Sequence, residues 1–219
     1  GNKHRNTALL KNITSWKDPE CVSKNMGISG STGSIIDKIL DINRQNSDKI
    51  RPSKIDNNMY NWKNTTGTQV FIDFETMSDI FGEFSDLPIQ KSSGIIFMIG
   101  VWFPSNNGEM KYKSFICNRS TYNEEYRIMD EFMTFLTDIG MSKSWFWHAE
   151  KTIWKSAENR QFSIASRSNE SSKKKRISEW DISNWFDLCK IFKYKQEPIV
   201  IKDCFKFGLK QVAKAMKKH

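Results

Sequence analysis

Hydrophobic and polar positions change their spacing along this 219-residue chain near Thr68. Before that point apolar residues recur at helical intervals, most clearly in the segment STGSIIDKILDINRQN. After it, residues 70–75, 94–103 and 110–117 carry the short apolar or alternating runs that are typical of strands. The pattern predicts a helical region over residues 1–50, a polar linker marked by Pro and Gly over 51–67, and an α/β domain over 68–219.

Local signals refine the helical region and the first strands. The segment KDPECVSKNMG has Asp18 where an N-cap would lie, Pro19 at a first helical position and Gly27 after a last one, so it predicts a helix. The segment PSNNGE, between the second and third apolar runs, predicts a hairpin turn.

The rest of the α/β region mixes helical and strand-like segments. Residues 123–139 predict a helix with one apolar face, ended by Gly140. The segment SWFWHAE (144–150) predicts a short buried strand that leads into a second helix, and the polar residues 157–184 predict a long surface loop. Residues 185–194 and a helix within 205–219 follow. Three antiparallel strands, a helix, and then mixed strands and helices is the order of an RNase H-like fold.

Two carboxylates stand in the first predicted strand, TQVFIDFETM. Because side chains alternate along a strand, Asp73 and Glu75 share one face with Phe71, about 6.6 Å apart along the strand. Partly desolvated, two such charges repel each other unless a proton or a cation compensates. Hard divalent cations prefer oxygen ligands, so this pair predicts a metal site. The alternative is an edge strand whose polar face points to water.

Composition sets limits on the class of protein. Hydrophobic residues make up 38% of the chain, which is enough for a packed core. The longest apolar run, residues 95–103, has the length of a strand and not of a membrane span, and the first residues do not form the apolar part of a signal peptide. The four cysteines have no metal-type spacing. We therefore expect no membrane partner and a reducing intracellular compartment: cytoplasm, nucleus or a viral factory.

The net charge of +9 favours a polyanionic partner, since Lys and Arg bind phosphate backbones. A basic, solvated surface is the alternative. Within the predicted loop, the run formed by Lys173, Lys174, Lys175 and Arg176 is the first candidate for a nucleic-acid contact. Its alternatives are a freely solvated loop or a localisation signal. Lys210 is a second candidate, with a helical lysine that covers apolar surface as the alternative.

The motifs in their order resemble a known group of nucleases. FIDFET resembles the first motif, Asp-x-Glu, of the DEDD exonuclease superfamily, and SGIIFMIGVWF resembles its second strand. The span from about residue 70 to 217 resembles the RNase H-like domains of predicted RecB-family nucleases, including versions in large DNA viruses. WHAEKTIW, WFDLCKIF and FKFGLKQVAKAM follow in the order that this subgroup shows.

The resemblance implies roles for particular residues. Asp73 and Glu75 would be the metal ligands of the first motif, Glu150 the carboxylate of the second, and Asp187 a further ligand from the Asp-Leu pattern. His148 would orient Glu150 or a phosphate. The alternatives are a first-turn glutamate favoured by the helix dipole for Glu150, an N-cap for Asp187 and a hydrogen-bonded core histidine for His148.

One part of the family pattern has no counterpart here. Members with full activity carry a last carboxylate, in a His-x4-Asp or Tyr-x3-Asp pattern, on a helix beyond the Leu-Lys helix. No acidic residue follows Lys210 before the sequence stops at His219. Three explanations are open: the sequence is truncated at its C-terminus, Asp187 substitutes for the last carboxylate, or the site is degenerate.

The expected function is therefore that of a two-metal nuclease. The resemblance implies Mg²⁺ or Mn²⁺ as cofactor, DNA or RNA as substrate, and 3′→5′ exonuclease action on phosphodiester bonds. The alternative is a catalytically degenerate RNase H-like module that binds nucleic acid or takes part in an assembly.

Overall fold

The computed structural model describes residues 2–55, 59–77, 94–105, 107–194 and 197–219. The chain forms two compact units, Gly1–Asn61 with Cys189–His219, and Trp62–Leu188. This division differs from the expected domains, in which residues 68–219 belong together. The elements in chain order are α1 (Asn2–Leu10), α2 (Gly30–Arg44), β1 (Ile50–Arg51), β2 (Thr68–Met77), β3 (Ile95–Pro104), β4 (Met110–Ile116), α3 (Tyr122–Asp138), β5 (Met141–Phe146), α4 (Glu150–Arg167), α5 (Ser171–Ser178), β6 (Trp185–Asp187), α6 (Leu188–Phe192), β7 (Val200–Ile201) and α7 (Leu209–Lys218).

The unit Trp62–Leu188 is built on a five-stranded mixed sheet in the order β4-β3-β2-β5-β6. Strands β2, β3 and β4 are antiparallel, whereas β2 pairs with β5, and β5 with β6, in parallel. A mixed α/β architecture is therefore confirmed. Since β2 lies between β3 and β5, its carboxylates do not stand on an edge strand.

Side chains of β2 alternate as the sequence predicts. Val70, Ile72 and Phe74 are buried, whereas Phe71 and Asp73 are exposed. The buried side chains pack against α3, whose apolar face also covers β3 and β4. The predicted hairpin between β3 and β4 is present, closed by hydrogen bonds between Ser105 and Glu109, although Asn106 lies outside the described residues.

Helix α3 forms where the sequence predicts it. The Thr121 hydroxyl accepts a hydrogen bond from the Glu124 backbone N–H at 3.3 Å, which caps the first turn. Gly140 follows the helix with φ +60°, a conformation that glycine adopts without steric cost. The face between these ends supplies Phe132 to an aromatic cluster in the core with Phe74, Trp154 and Trp185.

The predicted surface loop over 157–184 is wrong, because most of it is helical. Helix α4 runs to Arg167 and α5 covers Ser171–Ser178. The buried stripe of α4 has helical spacing but contains small or polar residues: Trp154, Ala157, Gln161 and Ala165. Alanine and glutamine give little hydrophobic contrast, so the segment reads as polar although one face is buried.

In the other unit, the helix predicted for KDPECVSKNMG is also wrong. These residues form successive turns, the first held by Asp18, whose side chain accepts from the Glu20 N–H at 2.9 Å. The Arg44 guanidinium donates to the backbone carbonyls of Trp16, Asp18 and Cys21 at 2.6–2.9 Å. A helix would engage those carbonyls within itself, so the arginine favours the open turns.

Part of the predicted linker belongs to a small sheet in the same unit. Ile50 pairs with Ile201, and Arg51 with Val200, as antiparallel β1 and β7. The Arg51 side chain forms ion pairs with Asp41 and Asp48. The predicted helices over STGSIIDKILDINRQN and within 205–219 are both present, as α2 and α7.

Candidate functional site

The carboxylates named by the sequence lie in one unit, where the parallel strands end. Pairing between β2 and β5 reaches Phe71 and Trp145, and pairing between β5 and β6 reaches Phe146 and Asp187. Asp73 is two residues beyond the last pair of β2 with β5. Sheet neighbours of β2 thus continue the chain in opposite directions, toward β3 on one side and β5 on the other. In open α/β sheets, ligands bind outside the carboxyl ends of the strands at such a reversal.

Asp73 and Glu75 point to the face opposite the helices. Asp73 is exposed and pairs with Gly100 of β3, which has no side chain on that face. Glu75 is exposed as well and pairs with Met98, but the register shifts between Glu75 and Thr76. This β-bulge ends the regular alternation, so only Asp73 has regular strand pairing on both sides of it along β2.

Glu150, the first residue of α4, is buried with 6% of its surface exposed. Burial raises the pKa of its carboxyl to about 7, and the negative charges of Asp73 and Asp187 raise it further, against backbone hydrogen bonds that lower it. One of those bonds comes from the Ala149 N–H at 3.0 Å. A solvent-exposed glutamate that merely complements the helix dipole would not be buried beside two other carboxylates.

Asp187 is joined to the turn between β5 and α4. Its side chain is buried, and Oδ1 accepts a hydrogen bond from the backbone N–H of His148 at 3.0 Å. His148 has φ +83°, a left-handed conformation that is strained for a residue with a side chain. The strained backbone therefore positions the Asp187 carboxylate, while the His148 side chain is exposed and is not a core histidine.

The sequence did not indicate Lys151, which also shapes this region. Its ammonium group donates to the carbonyls of Ile182 at 3.1 Å and Trp185 at 3.5 Å. The lysine next to Glu150 therefore holds the approach to β6 from α4. No sequence signal identifies this role, because it depends on a contact across about thirty residues, a separation that local patterns do not encode.

Asp73, Glu150 and Asp187 are thus brought near one another electrostatically, and Glu75 is not among the charges that raise the pKa of Glu150. Within the described ranges, no three His, Cys, Asp or Glu side chains converge closely enough to hold a metal ion as they stand. The donor chemistry nevertheless fits a hard divalent cation, since the site gathers carboxylate oxygens whose mutual repulsion a cation would relieve.

The predicted basic loop is a helix, and its cations have partners. Lys173 lies with its ammonium 4.4 Å from the centre of the Tyr126 ring, and Lys174 lies 5.5 Å from that of Phe162. Arg176 forms an ion pair with Asp130 of α3. These three side chains serve packing between helices, whereas Lys175 is exposed. Lys210 is exposed on α7, in the other unit.

Among the described residues, no helix is both long and apolar enough to cross a membrane. Comparison of the chain with protein-family models, with curated proteins and with solved structures finds no match.

Proposed function

We propose that this chain is a divalent-metal-dependent nuclease of RNase H-like fold that hydrolyses phosphodiester bonds of DNA or RNA, acting from the 3′ end. The observation that carries the proposal is the placement of Asp73, Glu150 and Asp187, from three separate elements, where β2, β5 and β6 end. Buried carboxylates that repel one another lower stability, and such an arrangement is found where it serves binding or catalysis.

The strand order supports the fold assignment within this proposal. The antiparallel β2, β3 and β4 are followed by α3, then by β5 and β6, which add in parallel on the other side of β2. This is the succession of elements that the motifs in the sequence suggested. The fold alone does not define an activity, so the activity is inferred from the carboxylates.

Asp73, Glu75, Glu150 and Asp187 would hold Mg²⁺ or Mn²⁺. When bound, such ions lower the pKa of a coordinated water and stabilise the negative charge that develops on the departing oxygen. The chain's own residues position the ligands: the His148 backbone N–H holds Asp187, and the Ala149 N–H holds Glu150. The exposed His148 side chain is placed to contact a phosphate next to them.

Protonation of Glu150 couples this site to pH. Metal ligands must be deprotonated, and the pKa of Glu150 is about 7. We therefore expect Mn²⁺ affinity to rise with pH up to about 7 and to level off above it.

A second function is favoured by one observation, the lack of convergent metal ligands among the described residues. Together with the absence of an acidic residue after Lys210, it suits a degenerate module that binds nucleic acid without cleaving it. Lys175 and Lys210, both exposed, would then contribute phosphate contacts.

A cleavage assay separates the two functions. Single strands of DNA and of RNA, labelled at the 5′ end, are incubated with the protein in Mg²⁺, Mn²⁺ or EDTA. The proposal expects metal-dependent shortening from the 3′ end that Asp73→Asn removes. Asp138→Asn, the same charge change at the exposed end of α3, is the matched control and should cleave as the wild type does. Binding without cleavage in either metal would refute the nuclease and support the module.

A further inference from the structure

The sheet face opposite the helices carries one aromatic side chain from each strand, side by side. Register places Tyr112 of β4 beside Trp102 of β3, and Trp102 beside Phe71 of β2. On the other side, Phe71 pairs with Trp145 of β5, and Trp145 with Phe186 of β6. Neighbouring strands lie about 4.8 Å apart, so these rings form a continuous row across the sheet.

Three members of this row are exposed to an extent that is unusual for large aromatic side chains. Phe71 is 47%, Trp102 50% and Tyr112 51% exposed. The rings of Trp102 and Tyr112 lie 5.8 Å apart between centroids. We call these three residues the aromatic row. Trp145 continues it but is 3% exposed, covered in part by Lys143 and held by a hydrogen bond from its indole N–H to Gln69.

The aromatic row runs directly beside Asp73. The next register position holds Asp73, Gly100 and Ser114 on β2, β3 and β4. A Cβ at Gly100 would lie 2.7 Å from the Tyr112 hydroxyl oxygen, so the glycine makes room for that ring to lean toward the Asp73 level. The exposed rings are therefore close along the strands to a proposed metal ligand.

We propose that the aromatic row binds unpaired bases of a single-stranded nucleic acid whose backbone leads to the carboxylates. This inference rests on the proposed function and specifies its substrate. Aromatic side chains stack on any base, but in a duplex the faces of the bases are covered by their neighbours, so exposed rings favour single strands.

Charge favours this occupant over a second copy of the chain. The chain carries a net charge of +9, and the Lys143 ammonium lies 5.2 Å from the Trp145 ring on the same face. Two copies with this charge repel each other, whereas a polyanion is attracted. The aromatic row supplies the stacking surface, and the cations supply the attraction to phosphate.

The test measures binding separately from cleavage. Fluorescence anisotropy is recorded in EDTA with a labelled single strand of about 12 nucleotides, its duplex, and a strand of equal length whose central nucleotides lack bases. Trp102→Ala and Tyr112→Ala are compared with the wild type and with Phe162→Ala, a matched control that removes an exposed ring of α4. Melting temperatures confirm that each variant is folded.

The wild type should bind the single strand more tightly than the duplex. Each variant of the aromatic row should weaken binding of the single strand at least about fivefold, and leave binding of the base-free strand unchanged. Equal affinities of all variants, or an equal loss with the base-free strand, would refute the inference. So would a dimeric wild type that Trp102→Ala makes monomeric without an effect on the oligonucleotide.

The outcomes also separate this inference from the proposed function. Base-dependent binding without cleavage in Mn²⁺ would retain the aromatic row and refute the nuclease. Cleavage by the wild type with undiminished cleavage and binding in both variants would retain the nuclease and refute the aromatic row.

Discussion

Glu150→Gln should stabilise the metal-free protein at neutral and alkaline pH. The pKa of Glu150 is about 7 in the folded chain because the carboxyl is buried and lies near Asp73 and Asp187. Glutamine keeps the size of the side chain and an oxygen that can accept from the Ala149 N–H. The substitution therefore removes the charge with little change in packing.

The magnitude follows from linkage between protonation and folding. Below pH 4.5, the ordinary pKa of glutamate, the group is protonated in both states and has no effect. As the pH rises from 4.5 to about 7, the unfolded chain ionises first, so stability falls. At about 1.4 kcal/mol for each pKa unit, the loss is about 3 kcal/mol and is complete above pH 7. Glu150→Gln should thus gain up to about 3 kcal/mol at about pH 8 and almost nothing at pH 4.5.

Urea denaturation in EDTA at several pH values between about 4.5 and 8 measures this difference. The quantity of interest is the stability of the variant minus that of the wild type, because other titrating groups cancel in it. Glu131→Gln, on the exposed side of α3, is the control and should give a difference that does not vary with pH. Asp73→Asn should reproduce part of the gain at alkaline pH. A flat difference for Glu150→Gln would show that its carboxyl is not destabilised in the folded protein.

Three further predictions test other contacts. Mn²⁺ should raise the melting temperature of the wild type but not of Asp73→Asn, by an amount that corresponds to about 2.7 kcal/mol at about 100 times Kd; an equal rise in both proteins would place the metal elsewhere. Glu125→Ala should cost about 3–5 kcal/mol in urea denaturation, because this fully buried carboxylate accepts from the Ile96 N–H and pairs with Arg160, which would lose its partner; a loss below about 1 kcal/mol would contradict this account. Arg176→Gln should lower stability by less than about 1 kcal/mol, since its ion pair is partly exposed, and should leave the salt dependence of oligonucleotide binding unchanged if the arginine serves packing.

Elements with strong periodicity could be predicted from the sequence, and those with weak contrast could not. The alternation of apolar and polar residues in β2 predicts that Asp73 faces away from the core, and the buried and exposed positions of that strand confirm it. Helix α3 has a wide apolar face and a glycine at its end, so its limits were predicted to within a residue. Helices α4 and α5 lack that contrast. Their buried positions include Gln161, whose amide donates to Glu125, a contact that periodicity does not encode.

The site divides in the same way. That Asp73 and Glu75 share a face follows from the period of a strand, but the bulge after Glu75 does not. Glu150 and Asp187 were suggested by resemblance, and their approach to Asp73 depends on parallel pairing between segments that are far apart in sequence. The burial that raises the pKa of Glu150 is likewise a property of the assembled sheet.

The pairing of β2 also bears on how the molecule folds. Strands β2, β3 and β4 follow one another in sequence, whereas β5 reaches β2 only after α3, and β6 only after α4 and α5. Contacts close in sequence form at a lower entropic cost, so the antiparallel strands are expected to associate before the parallel ones. The three carboxylates then meet only in the last stage, after the folding barrier. Their repulsion would accelerate unfolding and leave the folding rate nearly unchanged. A bound cation would consequently extend the lifetime of the native state.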